Sequence, residues 1–185
     1  MARTPSNMMP LGTVAPDFNL YNPQSEKHVA LQDVKSDLAT VVMFICNHCP
    51  YVIHVQDQLV KLANDYQAKG IAFVAINSND VINYPDDSPE KMKEASETLA
   101  YPFPYIFDET QDVAKAYQAA CTPDFFIFDK DLKCIYRGQL DDSRPHNNEP
   151  VNAKDIRAAL DAVLAGKPVD SDQKASLGCN IKWKP

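Results

Sequence analysis

Hydrophobic and polar positions along the chain fall into segments with recognisable periods. From Ala39 to Ile45 the sequence ATVVMFI is apolar almost throughout, the pattern of a strand buried on both faces. After Cys46–Asn47–His48–Cys49–Pro50 the period changes. Val52, Val55, Leu59, Leu62 and Tyr66 recur at three- and four-residue steps until Gly70, which predicts a helix from Pro50 to about Lys69. Ile71–Asn77 (IAFVAIN) is a second buried strand. Upstream, Val14 to Asp33 reads as two short strands around a turn at Tyr21–Ser25. Downstream, Ser88–Pro89–Glu90 opens a polar helix reaching about Leu99, with proline at its first position. Tyr105–Phe107 is a short strand and Gln111–Ala119 a short helix. Phe125–Asp129 and Cys134–Leu140 form a hairpin through Lys130–Lys133. Ile156, Leu160, Val163 and Leu164 share one face of a last helix over Asp155–Leu164. Residues 1–13, with Pro5 and Pro10, read as a loose arm, and 167–185 as a terminal tail that is polar until SLGCNIKW.

One βαβ unit thus feeds a ββα unit, with a helix–strand–helix inserted between them. The order predicts an α/β fold with a mixed central sheet and helices on both faces. A length of 185 residues, 45% apolar and 23% charged, suits one globular domain over 1–185. The net charge of −7, with no basic cluster to offset it, argues against nucleic acid or an anionic membrane as partner. No apolar run approaches the ~18 residues of a membrane span. The opening MARTPSNMMPLGTVAPDF lacks the unbroken apolar stretch of a secretory signal, so the chain reads as cytoplasmic or already processed.

Candidate chemistry lies in the cysteines, whose odd count of five and wide spread do not make a secreted disulfide scaffold. Cys46 and Cys49 form a CxxC pair where the first central strand ends and a helix begins. Ligands and chemistry gather at that rim of an α/β sheet. Pro50 suits the first helical position, which makes Cys49 the N-cap. A thiolate there faces unpaired backbone N–H groups and the positive end of the helix dipole, so Cys49 should titrate below an ordinary thiol. His48 adds a neighbouring cation. Zinc is the structural rival, but no second CxxC completes four ligands; Cys121, Cys134 and Cys179 stand alone, so no metal or other cofactor is expected. The bland alternative, two inert buried cysteines, fits a strand-to-helix junction poorly. Pro123 directly precedes a buried strand, and its peptide bond is either cis or trans. Cys121 is a buried filler or a redox thiol, Cys134 is core filling, and Cys179 either docks with the tail or serves chemistry. His28, His54 and His146 read as solvated.

The segments VVMFICNHCPYV, VAINSND, AYQAACTPDFFIFD and SLGCNIKWKP resemble the peroxiredoxin-like branch of the thioredoxin superfamily. The resemblance spans about Val14 to the C-terminus. It implies a thioredoxin-like fold carrying the extra N-terminal strands and inserted segment of peroxiredoxins. It also implies a cis bond before Pro123, whose loop (Thr122, Pro123) faces the CxxC and brings Cys121 near Cys46 and Cys49. The match departs from the peroxiredoxin pattern Pro-x-x-x-Thr-x-x-Cys-Pro: Cys49–Pro50 fits its end, while Cys46 stands at the Thr position and Val42 at the Pro position.

These features support a thiol–disulfide oxidoreductase in which Cys49 attacks and Cys46 resolves, with Cys121 and Cys179 as possible auxiliary thiols and Thr122–Pro123 as a substrate-holding edge. The alternatives are a peroxiredoxin-like antioxidant peroxidase, which needs Arg137 or Arg144 at the site, and a metal-binding or redox-sensing module without turnover. The partners expected are a disulfide-bearing protein or a small thiol or peroxide, and a thiol reductant.

Overall fold

The computed structural model describes residues 3–185. Its centre is β4 (Ala39–Phe44), buried at every residue. With no polar face, β4 sits inside the sheet, parallel to β5 (Ala72–Asn77) and antiparallel to β8 (Asp124–Asp129). Adding β2 (Asn19–Asn22), β3 (Lys27–Ala30), β6 (Tyr105–Phe107) and β9 (Cys134–Gly138) gives seven strands in the order β3–β2–β6–β5–β4–β8–β9. The pairs β4–β5 and β5–β6 are parallel and the other neighbours antiparallel.

Alternation along the strands divides the core into two layers. Val41 and Met43 pack with the apolar faces of α2 (Pro50–Gln67), α3 (Pro89–Thr98) and α5 (Lys154–Leu164). Val42 and Phe44 face the other way, toward α1 (Leu31–Val34) and α4 (Asp112–Ala116). There Phe44, Tyr117, Phe126 and Phe128 make a cluster of tilted and edge-on rings. The architecture is the expected thioredoxin-like one, with helices on both faces. None of the described helices is long and apolar enough to cross a membrane.

The chain ends differ from the sequence reading. β1 (Arg3–Pro5), β7 (Cys121–Thr122) and β10 (Leu177–Asn180) form a second, antiparallel sheet in the order β1–β10–β7. The part of the arm from residue 3 onward is therefore not loose: Arg3–Pro5 pairs with Leu177–Cys179, and Met9 is fully buried. Residues 1 and 2 lie outside the described residues. Strands of two to four residues pairing across the whole chain leave no local period, so hydrophobic patterning does not reveal them. One-turn α1 escapes for the same reason, and the helix expected over Gln111–Ala119 shortens to Asp112–Ala116.

The arm also caps a buried acid. Ser6 Oγ donates to Asp124 Oδ2 at 3.1 Å, while Asp124 Oδ1 has no partner. Burial raises the Asp124 carboxyl to about 7. The folded protein holds a proton there that the unfolded chain releases above ~3.9, so this group lowers stability as pH rises from ~4 through about 7. Asp124→Asn is expected to stabilise the protein at pH 8 by as much as ~4 kcal/mol and to have little effect near pH 4. Urea unfolding at the two pH values measures the difference; equal effects at both would rule out the titration.

Candidate active site

β4 ends at Phe44, and the five residues 45–49 lead directly into α2 at Pro50. Cys49 has extended backbone angles (φ −74°, ψ 122°) and caps the helix, with Pro50 in its first turn, as the sequence predicts. Cys49 therefore sits at the positive end of the α2 dipole, with the Val52 and Ile53 N–H groups donating to its backbone carbonyl.

The bond Thr122–Pro123 is cis, and β7 carries Thr122 to the sulfur atoms. Cys46 Sγ lies 3.3 Å from Thr122 Oγ1, and the protonated Cys49 thiol donates to the Thr122 carbonyl at 3.2 Å. When Cys49 ionises it becomes the acceptor. Hydrogen bonds from the Cys179 and Cys46 thiols then outweigh burial, helped by the Val52 N–H and Thr122 hydroxyl, and hold Cys49 well below the usual thiol range. Cys46 moves the opposite way. Its hydrogen bond to Cys49, its burial and the charge of Asp87 all keep it protonated. Cys179, donating to Cys49 and buried, is likewise pushed up. The site thus favours the anion on Cys49 over one on Cys46 or Cys179.

A second constellation fixes the loop between the cysteines. Asp87, fully buried at the end of the 3-10 turn Pro85–Asp87, accepts from the Asn47 backbone N–H at 2.7 Å, from Asn79 Nδ2 at 2.8 Å and from His48 Nδ1 at 2.6 Å. Asn47 is also held through its side chain, donating to the Asp86 carbonyl at 2.8 Å and accepting from Tyr105 OH at 3.0 Å. The His48 ring stacks on Tyr84 at 5.4 Å. Pairing with Asp87 raises His48 above its ordinary value, while Nε2 is buried with no hydrogen-bond partner. The largest support for the Cys49 thiolate thus comes from Cys179 rather than from the adjacent imidazole.

Sequence reasoning missed Asp87. The available signal was the polar run Asn77, Ser78, Asn79, Asp80 at the end of β5, beside the end of β4. Polar side chains at the C-terminal ends of neighbouring parallel strands converge on one rim.

The other candidates separate clearly. Cys121, fully buried, donates to the Pro123 carbonyl at 3.6 Å, and burial raises it. Thr122 rather than Cys121 touches Cys46 and Cys49. Cys134 fills the second core layer. His54 is half-buried rather than solvated, and its Nε2 has no partner. Arg137 donates to the Met9 carbonyl and Gln173, and Arg144 to the Asp141 and Ser143 carbonyls and Gln139. The Thr122 edge expected to hold substrate is already paired, with Cys179 opposite Thr122 and Asn180 opposite Cys121. A Cβ on Gly178 would come within 2.0 Å of the Thr122 carbonyl oxygen, so only glycine lets β10 lie this close.

Known structures share this framework. An uncharacterized conserved protein from Geobacillus kaustophilus is 66% identical, with a TM-score of 0.99 over 100% of this chain and 98% of that one. A hypothetical protein from Sinorhizobium meliloti 1021 is 46% identical, with a TM-score of 0.95 over 98% of each chain. A putative thiol:disulfide interchange protein from Chlorobium tepidum, 20% identical, has the same fold at a TM-score of 0.67 over 84% of this chain and 99% of that one. No curated protein matches the chain. The AhpC/TSA family model matches residues 11–137, which include β4, the CxxC, Asp87 and the cis-proline. The chain belongs to the AhpC/TSA family, and its chemistry is of the thioredoxin-like redox kind.

Proposed function

We propose that the protein is a thiol–disulfide oxidoreductase in which Cys49 attacks and Cys46 resolves. The observation that carries this reading is a pair of buried sulfurs at one helix mouth, Cys49 at the N-cap against the Thr122 carbonyl and Cys46 beside the Thr122 hydroxyl, in surroundings that favour the anion on Cys49 and the thiol on Cys46. Cys49 attacks one sulfur of a substrate disulfide, and the other sulfur leaves as a thiolate. Protonated His48, whose Nε2 is unpartnered, supplies the proton for that leaving group. Cys46 then loses its proton and attacks the Cys49 sulfur. A Cys46–Cys49 disulfide forms, the substrate departs as a dithiol, and a thiol reductant restores the pair. An odd count of five widely spaced cysteines suits a reducing compartment such as the cytoplasm.

A peroxidase of this family asks for more. Charge develops on the leaving peroxide oxygen, and donors must already be aimed there. Cys46 stands where the peroxiredoxin pattern has its threonine, a thiol is a weak donor, and both candidate arginines are engaged elsewhere. Stopped-flow comparison of the reduced protein with hydrogen peroxide and with a small disulfide is expected to show disulfide exchange as the faster reaction. A peroxide rate constant near ~10⁷ M⁻¹s⁻¹, within the range of highly efficient enzymes, would reverse the assignment.

A second reading rests on Cys46, His48 and Asp87, whose ligand atoms all lie within 4.8 Å of one another. Metal analysis of the purified protein separates the two: one tightly held ion per chain favours a metal module, and none is expected on the redox reading.

A further inference from the structure

The reactive sulfur is closed over in this conformation: Cys46 is 2% and Cys49 0% exposed. Part of the cover is β10. Its Cys179 is paired opposite Thr122, the residue whose carbonyl meets the Cys49 thiol, and all three cysteines share one buried cluster. Gly178 lets the strand lie flush on β7, and α2 packs against it. Cys49 therefore has a thiol neighbour on each side, Cys46 from its own loop and Cys179 from the far end of the chain.

We infer that Cys179 is a third redox thiol, which occupies the place of a substrate sulfur on the Thr122 edge and forms an alternative disulfide with Cys49. The inference rests on the assignment of Cys49 as nucleophile. Starting from the Cys46–Cys49 disulfide, Cys179 attacks the Cys49 sulfur. The Cys49–Cys179 bond forms, the Cys46–Cys49 bond breaks, and Cys46 leaves as a thiolate that takes up the proton Cys179 gave off. No net oxidation occurs; the disulfide moves from one neighbour to the other. Local electrostatics order the events. While Cys49 is an anion it holds the Cys179 proton; once Cys49 is in a disulfide that hold is gone, and although burial still opposes ionisation, the charge of Lys182 favours it, so the Cys179 thiolate is easier to form than before. The Cys49–Cys179 bond then pins β10 over the site.

The test is a set of serine variants, which keep a hydroxyl donor beside Cys49, treated with a chromogenic dipyridyl disulfide. Cys46→Ser is expected to release two equivalents of pyridine thione per chain and to yield a mapped Cys49–Cys179 peptide. The double variant Cys46→Ser/Cys179→Ser is expected to stop at one equivalent, with the pyridyl group left on Cys49. A wild-type chain that closes Cys46–Cys49 while Cys46→Ser remains a mixed disulfide on Cys49 overturns the role of Cys179 alone. A wild-type Cys49 that does not react sinks the oxidoreductase assignment and this inference with it. Should Cys46→Ser fail to fold, acid-quenched mapping of the wild type at limiting oxidant decides: a Cys49–Cys179 peptide supports the inference, and Cys46–Cys49 as sole product refutes it.

Discussion

Cys49→Ser is expected to slow disulfide exchange on the order of 10³-fold or more, because a serine hydroxyl does not ionise near neutral pH and nothing else at the helix mouth replaces the thiolate. Cys46→Ser leaves the helix mouth and the nucleophile in place, so the first attack should persist while closure of the CxxC disulfide is lost. The two variants thus separate attack from resolution. The pH profile adds a signature specific to this site. An ordinary thiol near ~8.5 loses about tenfold in thiolate for each pH unit below that value. Cys49 is held well below the usual range by hydrogen bonds from Cys179 and Cys46, so the wild-type attack rate should stay nearly level between pH 8 and 5. A tenfold fall per unit over that interval would show that the thiolate is not stabilised.

The second large effect belongs to Asp87. Its carboxylate is fully buried and collects hydrogen bonds from Asn47, His48 and Asn79. Asp87→Ala leaves these groups without their acceptor, at about 1–3 kcal/mol for each that stays buried and unpaired, and a total loss of about 3 kcal/mol or more is expected in urea unfolding. Asp87→Asn keeps most of the shape and removes the charge. His48 loses the first cause of its raised value, and Cys46 loses a negative neighbour that raises it, so both should titrate lower. The linkage has a definite sign: the His48–Asp87 contribution is fully present below ~6.5 and is lost as pH rises through the raised value of His48. Asp87→Asn should flatten that part of the stability profile, and an NMR titration of the His48 ring reads the shift directly. An unchanged His48 titration would mean that the ion pair does not govern it.

The parts of the molecule written in local pattern were legible from sequence. The unbroken apolar run of β4, the three- and four-residue steps of α2 and the Cys49–Pro50 junction each specify their own geometry through neighbouring residues. The contacts that complete the site have no such record. Asp87 lies 39 positions from His48 and Cys46 lies 76 from Thr122, joined only when separate strand ends reach one rim. Cys179 reaches Cys49 through a four-residue strand whose pairing partners lie at the other end of the chain and beside the cis-proline. The hydrophobic pattern of SLGCNIKW indicates docking but not the surface it docks on. The sequence likewise gives no sign that Gly178 is needed for the close approach of two backbones.

The small sheet β1–β10–β7 also bears on how the protein is made. β10 (Leu177–Asn180) lies far downstream of Cys46 and Cys49, so a ribosome delivers the CxxC pair long before the strand that carries Cys179. Until β10 emerges, the Thr122 edge lacks its partner strand and the CxxC pair lacks part of its cover. A newborn chain therefore meets its surroundings with a more open thiol pair than the finished protein has. A passing oxidant or foreign disulfide can reach Cys49 then without competing against β10. Emergence and docking of β10 complete the site, and an oxidative encounter before that moment is recorded in whichever disulfide Cys49 has already made.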